Sequence, residues 1–96
     1  MNSTSKKTDV EIRLSDLNEG QSGRIIRIGG HGALRRRLLE MGLLKGTHVY
    51  VEKYAPLKDP LELIIKGYHI SLRVEEAAQV ILADVKQELP NGSEAN

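Results

Sequence analysis

One stretch of the sequence indicates the fold class more directly than any other: Leu61-Glu62-Leu63-Ile64-Ile65-Lys66-Gly67-Tyr68-His69-Ile70-Ser71-Leu72. Side chains on both sides of Lys66-Gly67 alternate with a period of two, which is typical of strands with two different faces. Glycine accepts the positive φ that the second position of a tight turn requires, so a Lys-Gly pair between two such runs indicates a β-hairpin. We therefore expect two adjacent antiparallel strands here.

Further strands are predicted on both sides of this hairpin. The short Ile-rich run 24–28 is bounded by glycines, residues 48–52 alternate around Val49 and Val51, and residues 80–85 form an apolar run. Each of these patterns favours a strand. Many short strands in so small a chain indicate a mainly β protein, a small β-barrel. We expect closure of the barrel to remove the exposed sheet edges.

One short α-helix is predicted between the first two of these strands. Leu34, Leu38 and Met41 share one face at helical spacing, and Gly42 follows where a left-handed residue ends a helix. The preceding glycine-rich run 29–32 is expected to be a loop. A helical turn is expected at residues 74–79, where acidic side chains favour a helix N-terminus.

The composition excludes several classes of protein. The 96 residues carry 14 basic and 13 acidic side chains, a formal net charge of +1, and contain no cysteine. Without cysteine there is no disulfide framework, zinc knuckle or thiol nucleophile, and near-neutral charge is not typical of a protein that wraps nucleic acid. No nucleophile–base arrangement is visible, so we do not expect an enzyme. No apolar run approaches the roughly 20 residues that cross a bilayer, so we expect a cytoplasmic protein without membrane insertion.

The chain is expected to form one domain, residues 10–87. Residues 1–9 and 88–96 are polar and poor in large apolar side chains, which predicts disordered N- and C-terminal tails.

Four motifs, in this order and spacing, carry a resemblance to a known family: Leu14-x-x-Leu17-x-x-Gly20, Arg37-Leu38-x-x-Met41-Gly42-Leu43-x-x-Gly46, Ala55-Pro56-Leu57-Lys58-Asp59-Pro60-Leu61 and Gly67-x-x-Ile70-Ser71-Leu72-Arg73. Over residues 10–86 the chain resembles the FeoA family. The resemblance implies an SH3-like barrel with one short α-helix plus a helical turn. It also implies a cytosolic protein associated with a FeoB-type ferrous iron transporter.

The function that this resemblance implies is that of a non-enzymatic accessory protein, which docks on the cytoplasmic region of the transporter and supports or regulates Fe(II) transport. The alternative is a metal-responsive regulatory module that binds a transition metal or acts on a repressor in trans, because domains of this type also occur in metal-dependent repressors. We expect no required cofactor, and at most weak binding of a transition metal. We expect a monomer or a weak homodimer that does not bind nucleic acid.

The strongest charge cluster lies on the predicted helix. Residues 24–45 carry six basic side chains against Glu40 alone, an excess of +5 that leaves −4 for the rest of the chain. Arginines beside leucines that cannot all fit one small core favour a protein-binding surface. A solvated helix face and an ordinary core are the alternatives. The candidate partner-binding residues are Arg35, Arg36, Arg37, Leu39, Leu43 and Leu44.

Two weaker candidate sites involve histidine and tyrosine. His31, His48 and His69 are the candidate ligands for a transition metal, although no two share a helix face and no cysteine accompanies them. A cross-strand approach of His48 and His69, a site shared between molecules, or three exposed histidines all remain open. Tyr50 and Tyr54 are predicted on the outward register of one strand, where they could line a peptide groove. The scarcity of aromatic residues argues against polyproline binding.

Overall fold

The computed structural model describes residues 10–88, which form one antiparallel sheet, two helices and a 3-10 turn. The strands in chain order are β1 (Ile12–Arg13), β2 (Gln21–Ile28), β3 (His48–Tyr54), β4 (Leu61–Ile65), β5 (Tyr68–Leu72) and β6 (Val80–Gln87). The 3-10 turn (Leu14–Asp16) follows β1, helix α1 (Gly32–Glu40) joins β2 to β3, and helix α2 (Val74–Ala77) joins β5 to β6. The predicted tails, apart from Glu88, lie outside the described residues.

The predicted hairpin is confirmed. Strands β4 and β5 pair without interruption from Leu61 opposite Leu72 to Ile65 opposite Tyr68. Lys66 and Gly67 have φ angles of 52° and 85°. Positive φ at both central positions defines a type I′ turn, whose twist matches that of the flanking strands.

The strand order is β1-β6-β2-β3-β4-β5, so β6, the last of the strands within residues 10–88, lies inside the sheet. Inward-facing residues of the strands β2, β3, β4, β5 and β6 belong to one core cluster, which also includes Leu14 and Leu38. A sheet that buries one face of all these strands in a single core has to curl around it, and the barrel-like architecture is thereby confirmed. However, β1 and β5 do not pair with each other. The expectation that closure removes the edges is wrong, since an edge remains at each end of the sheet.

Helix α1 forms where the spacing of its apolar residues predicts it. Leu38 is fully buried, Leu34 and Met41 pack against the core, and Gly42 follows the helix with a φ of 100°. The left-handed conformation of Gly42 is the reason that glycine ends the helix here. The glycine-rich loop is one residue shorter than expected, because Gly32 already belongs to the helix.

The first two elements of the fold have no counterpart in the sequence prediction. Ile12 in β1 pairs with Leu82 of β6, and the 3-10 turn places Leu14 and then Leu17 in the core. At the other end of the domain the Glu88 amide donates to the Gly20 carbonyl at 2.7 Å. Glu88, one residue beyond the end of β6, is therefore tied to the folded domain by this hydrogen bond, whereas the sequence placed it in a C-terminal tail.

Candidate docking site

The three consecutive arginines of α1 have different environments. Arg35 Nη1 donates to the Ile28 carbonyl oxygen at 2.8 Å, which ties the helix to the end of β2. Arg37 Nη1 forms an ion pair with Glu76 Oε2 of α2. Arg36 is exposed and forms no ion pair or side-chain hydrogen bond with any residue in the range 10–88. Of these three arginines, only Arg36 has no donor engaged by a residue of the described range.

Glu76 is the residue that joins α1 to α2. Its Oε1 accepts the Arg73 backbone N–H at 2.9 Å, which is the carboxylate half of a capping box, and its Oε2 faces Arg37. Burial works to raise the pKa of Glu76, but the Arg73 N–H and the Arg37 guanidinium together hold that pKa below its ordinary value. The carboxylate is therefore charged at neutral pH and engaged on both oxygens, so Arg37 acts inside the fold.

Other basic residues near α1 are also neutralised by carboxylates distant in sequence. Arg24 donates from Nη2 to Asp84 Oδ2 at 2.7 Å, and Arg27 donates from Nη2 to Glu11 Oε1 at 2.6 Å. The hydrogen bond between Arg27 and Glu11 lowers the pKa of the Glu11 carboxyl and raises that of the Arg27 guanidinium. Counting Arg37, three of the six basic side chains in residues 24–45 have an acidic partner from outside that segment. The charge separation that the sequence suggests is correspondingly smaller in the folded molecule.

The three candidate leucines separate into core and surface. Leu43 is fully buried, and its amide donates to the Leu38 carbonyl at 3.1 Å in the turn that ends α1. Leu39 is half-buried and packs against the core, whereas Leu44 is 44% exposed. The assignment of Leu43 to a partner-binding surface is therefore wrong. The turn directs Leu43 inward and Leu44 outward, so Leu39 and Leu44 are the two of these three leucines that keep exposed surface.

The three histidines do not come together. His31 is the N-cap of α1, His48 lies opposite Arg24 at the start of β3, and the side chain of His69 on β5 reaches Glu52 further along β3 and not His48. His69 Nδ1 is 3.3 Å from Glu52 Oε1. Within residues 10–88 no group of three or more histidine, cysteine, aspartate or glutamate side chains could hold a metal ion. The cross-strand approach of His48 and His69 is not formed.

Tyr54 points to the opposite side of the sheet from the one predicted. A β-bulge between Val51 and Lys53 shifts the register of β3, so Tyr54 packs against the core. Its hydroxyl donates to the Leu17 carbonyl at 2.6 Å, with the Ser15 carbonyl at 3.2 Å. Burial raises the pKa of the Tyr54 phenol, and the nearby carboxylates of Asp16 and Glu19 raise that pKa further.

A shallow cleft adjoins Tyr54. It has a volume of about 330 Å³ and is lined by Ser15, Asp16, Leu17, Asn18, Tyr54, Lys58 and Val74. The Lys58 ammonium lies 5.9 Å from the centre of the Tyr54 ring. Tyr50 is half-buried on β3, and Tyr54 faces the core. The predicted groove between two outward tyrosines is therefore absent from residues 10–88.

Neither α1 nor α2, the two helices in the described part of the chain, has the length and hydrophobicity needed to cross a membrane.

Comparisons with known proteins agree with this structure. The FeoA/FeoB fusion protein of Porphyromonas gingivalis, named as an Fe(2+) transport protein A joined to an Fe(2+) transporter, is 44% identical over 69 residues. That match covers 72% of this chain and 8% of the fusion protein, so the chain spans only a small part of that relative.

Two solved structures share the fold. The FeoA-like protein of Clostridium acetobutylicum is 33% identical, with a TM-score of 0.71 over 82% of this chain and 88% of its own. FeoA of Stenotrophomonas maltophilia, described as an SH3 domain protein and solved in complex with zinc, is 25% identical, with a TM-score of 0.73 over 81% of this chain and 99% of its own. The fold is thus SH3-like, as expected. The family model named FeoA domain matches residues 12–84, and the chain belongs to the FeoA family.

Proposed function

We propose that this chain is a non-enzymatic accessory protein of ferrous iron uptake, which docks on the cytoplasmic region of a FeoB-type transporter and supports or regulates Fe(II) transport there. The observation that carries the proposal is the Porphyromonas gingivalis relative, in which a matching segment and an Fe(2+) transporter are parts of one polypeptide. Covalent fusion gives two modules a high effective concentration for each other. Where the modules are separate chains, a binding surface has to replace the linker.

The surface that we assign to this role, the docking face, consists of Arg36, Leu39 and Leu44. Leu39 follows Arg36 by three residues, so the two side chains lie on neighbouring positions of the α1 surface. Leu44 follows the turn after α1 and is 44% exposed. Arginine beside aliphatic side chains is typical of interface centres, where the guanidinium pairs with a carboxylate while the apolar atoms exclude water. The matching surface on the transporter would present an acidic side chain beside an apolar one.

The internal contacts of the other two arginines support this choice. Arg35 and Arg37 hold α1 against β2 and α2, which fixes the backbone that presents Arg36. A partner that engaged Arg37 would have to compete with Glu76, whereas one that engaged Arg36 gains an ion pair without breaking another. Docking through Arg36 therefore leaves the domain intact.

The experiment is a binding titration of the purified chain against the cytoplasmic domain of the transporter, at low and moderate salt. We expect Arg36→Glu to weaken binding by about tenfold or more, since a truncated or reversed charge at the centre of an interface typically costs more than 1 kcal/mol. Leu44→Glu should act in the same direction.

Lys53→Glu is the matched control. Lys53 is exposed on β3 near the end of the sheet where the Gly20 amide bonds to Val51, whereas α1 adjoins the opposite end of β2. It therefore reverses a charge without touching the docking face. Absence of binding by the unaltered chain would refute the proposal. Equal weakening by Lys53→Glu would show that only overall charge matters and would refute the assignment of the face.

A further inference from the structure

Strand β5 is the longer of the two sheet edges, and within residues 10–88 it has none of the usual protection. It hydrogen-bonds β4 alone among the described strands, and its ladder is regular from end to end. Natural edge strands are generally kept from pairing with other chains by shortness, bulges, prolines or charged side chains. The opposite edge, β1, is only two residues long, contains the charged Arg13 and is preceded by Glu11. β5 has five residues, no bulge, no proline, and no lysine, arginine or carboxylate.

The free hydrogen-bonding groups of this edge belong to two residues. In a hairpin closed by a type I′ turn, the residues next to the turn, here Ile65 and Tyr68, exchange both backbone hydrogen bonds. Because the pattern alternates along an antiparallel pair, Tyr68, Ile70 and Leu72 direct their N–H and C=O groups to β4. The same groups of His69 and Ser71 then point away from the sheet. No hydrogen bond outside the strand ladder involves those groups within residues 10–88.

We propose that the β5 edge is a self-association surface, which pairs antiparallel with β5 of a second copy of this chain about a two-fold axis at Ile70. In this register His69 of each copy faces Ser71 of the other, and the four free N–H groups meet the four free C=O groups. Two-fold pairing of identical surfaces is the commonest way in which soluble proteins dimerise.

The side chains of β5 suit a second copy of the same strand. Ile70 would face its symmetry mate as a non-hydrogen-bonded pair, in which side chains approach most closely. Ile70 is half-buried, and Tyr68 beside it is 73% exposed, a large aromatic surface left uncovered in the single chain. The two-fold axis would place both residues of each copy in one apolar strip.

The charges at the two ends of β5 are also compatible with this register. Extending the register brings Lys66 of one copy opposite Val74 of the other, between Arg73 and Glu75, and brings Arg73 opposite Gly67. No two like charges are directly opposite each other. The pairing of Ile70 with its own symmetry mate and the exposed ring of Tyr68 favour a second copy as the occupant of the edge.

The test combines sedimentation with amide hydrogen exchange on the whole chain. The concentrations are on the order of 10 μM and 1 mM, because an interface made by one pair of five-residue strands is small and therefore weak. We expect a monomer–dimer equilibrium. We also expect the amides of His69 and Ser71 to become protected at the higher concentration, while the amide of Ile70, already bonded to β4, changes little. A chain that stays monomeric, or a dimer in which these two amides exchange unchanged, would overturn the proposal.

Ser71→Pro removes the N–H that points outward, which is the position where an edge strand tolerates proline. It should raise the dimer dissociation constant by about tenfold or more, because each dimer loses two hydrogen bonds. Ser71→Ala, which keeps the amide, and Leu57→Lys, which changes an 88% exposed apolar residue elsewhere, should leave that constant within about twofold.

Tyr68→Lys is the second variant, in case Ser71→Pro perturbs the fold, and it should also weaken the dimer because it puts charge on the edge. If the transporter's cytoplasmic domain protects the amides of His69 and Ser71 when self-association does not, the edge belongs to that partner and the proposal fails. The docking face on α1 shares no residue with β5. Failure of one proposal is therefore distinguishable from failure of the other.

Discussion

Replacement of Leu43 by alanine tests how the structure divides the two adjacent leucines that follow α1. Leu43 has no exposed surface and belongs to the core cluster. Truncation removes three buried carbon atoms, at about 0.8 kcal/mol each, and adds the cost of the cavity left among neighbours that relax only in part. The total is about 2–5 kcal/mol. For a domain of this size we expect the Tm to fall by at least about 10 °C.

The assay is urea unfolding followed by far-UV circular dichroism, with Leu44→Ala as the matched variant. Leu44 is 44% exposed, so its truncation should change the free energy of unfolding by no more than about 0.5 kcal/mol. In the binding titration the order should reverse, with Leu44→Ala weakening the docking of a chain that is still fully folded. A loss below about 1 kcal/mol for Leu43→Ala, or equal losses for both variants, would refute the division into core and surface.

Three further predictions concern Tyr54, Glu76 and Gly42. Tyr54→Phe removes the hydroxyl bonded to the N-terminal segment and should cost about 1–2 kcal/mol in urea unfolding, whereas Tyr50→Phe should cost little. The pKa of Tyr54 is raised above its ordinary value of 10.0. The stability that its neutral phenol contributes is therefore complete below about pH 10 and is lost as the pH rises through the raised pKa. Tyr54→Phe should abolish this loss of stability at high pH. The pKa of Glu76 is lowered from its ordinary value of 4.5. The stability that its carboxylate contributes is therefore complete above that pH and is lost as the pH falls through the lowered pKa. Acid unfolding curves should show a shallower loss of stability in Glu76→Gln but not in Glu75→Gln. In Gly42→Ala the added Cβ meets no atom within 4 Å, but the φ of 100° is strained for alanine, so thermal melts should show a loss of stability of about 1 kcal/mol.

The elements that could be predicted from the sequence are those specified by adjacent residues. The β4–β5 hairpin depends on alternation and on a Lys-Gly turn, and α1 depends on the spacing of Leu34, Leu38 and Met41 and on Gly42. All of these lie within a few residues of one another. The short β1 and the 3-10 turn have no periodicity to detect, because they are held by β6 and by Tyr54, which come much later in the chain.

The candidate site was predictable in position but not in detail. The sequence places arginines and leucines on and after α1, and the structure keeps them there. The sequence pattern does not reveal that Arg37 faces Glu76 or that Arg24 faces Asp84, since those carboxylates lie 39 and 60 residues away along the chain. A single bulge in β3 was enough to turn Tyr54 inward, because one added residue reverses the side to which every later side chain points.

The position of β6 has a consequence for how the chain acquires its structure. β6 lies between β1 and β2, although it is synthesised after the other five strands of this sheet. Until residues 80–87 have left the ribosome, β1 has no neighbour, and β2 lacks one of its two partners. The β3–β4–β5 meander can form earlier, because its contacts are local. We therefore expect that in the nascent chain the meander and α1 form first, while part of the core is still exposed. The pairing of β6 with β1 and β2 then completes the domain in one cooperative step.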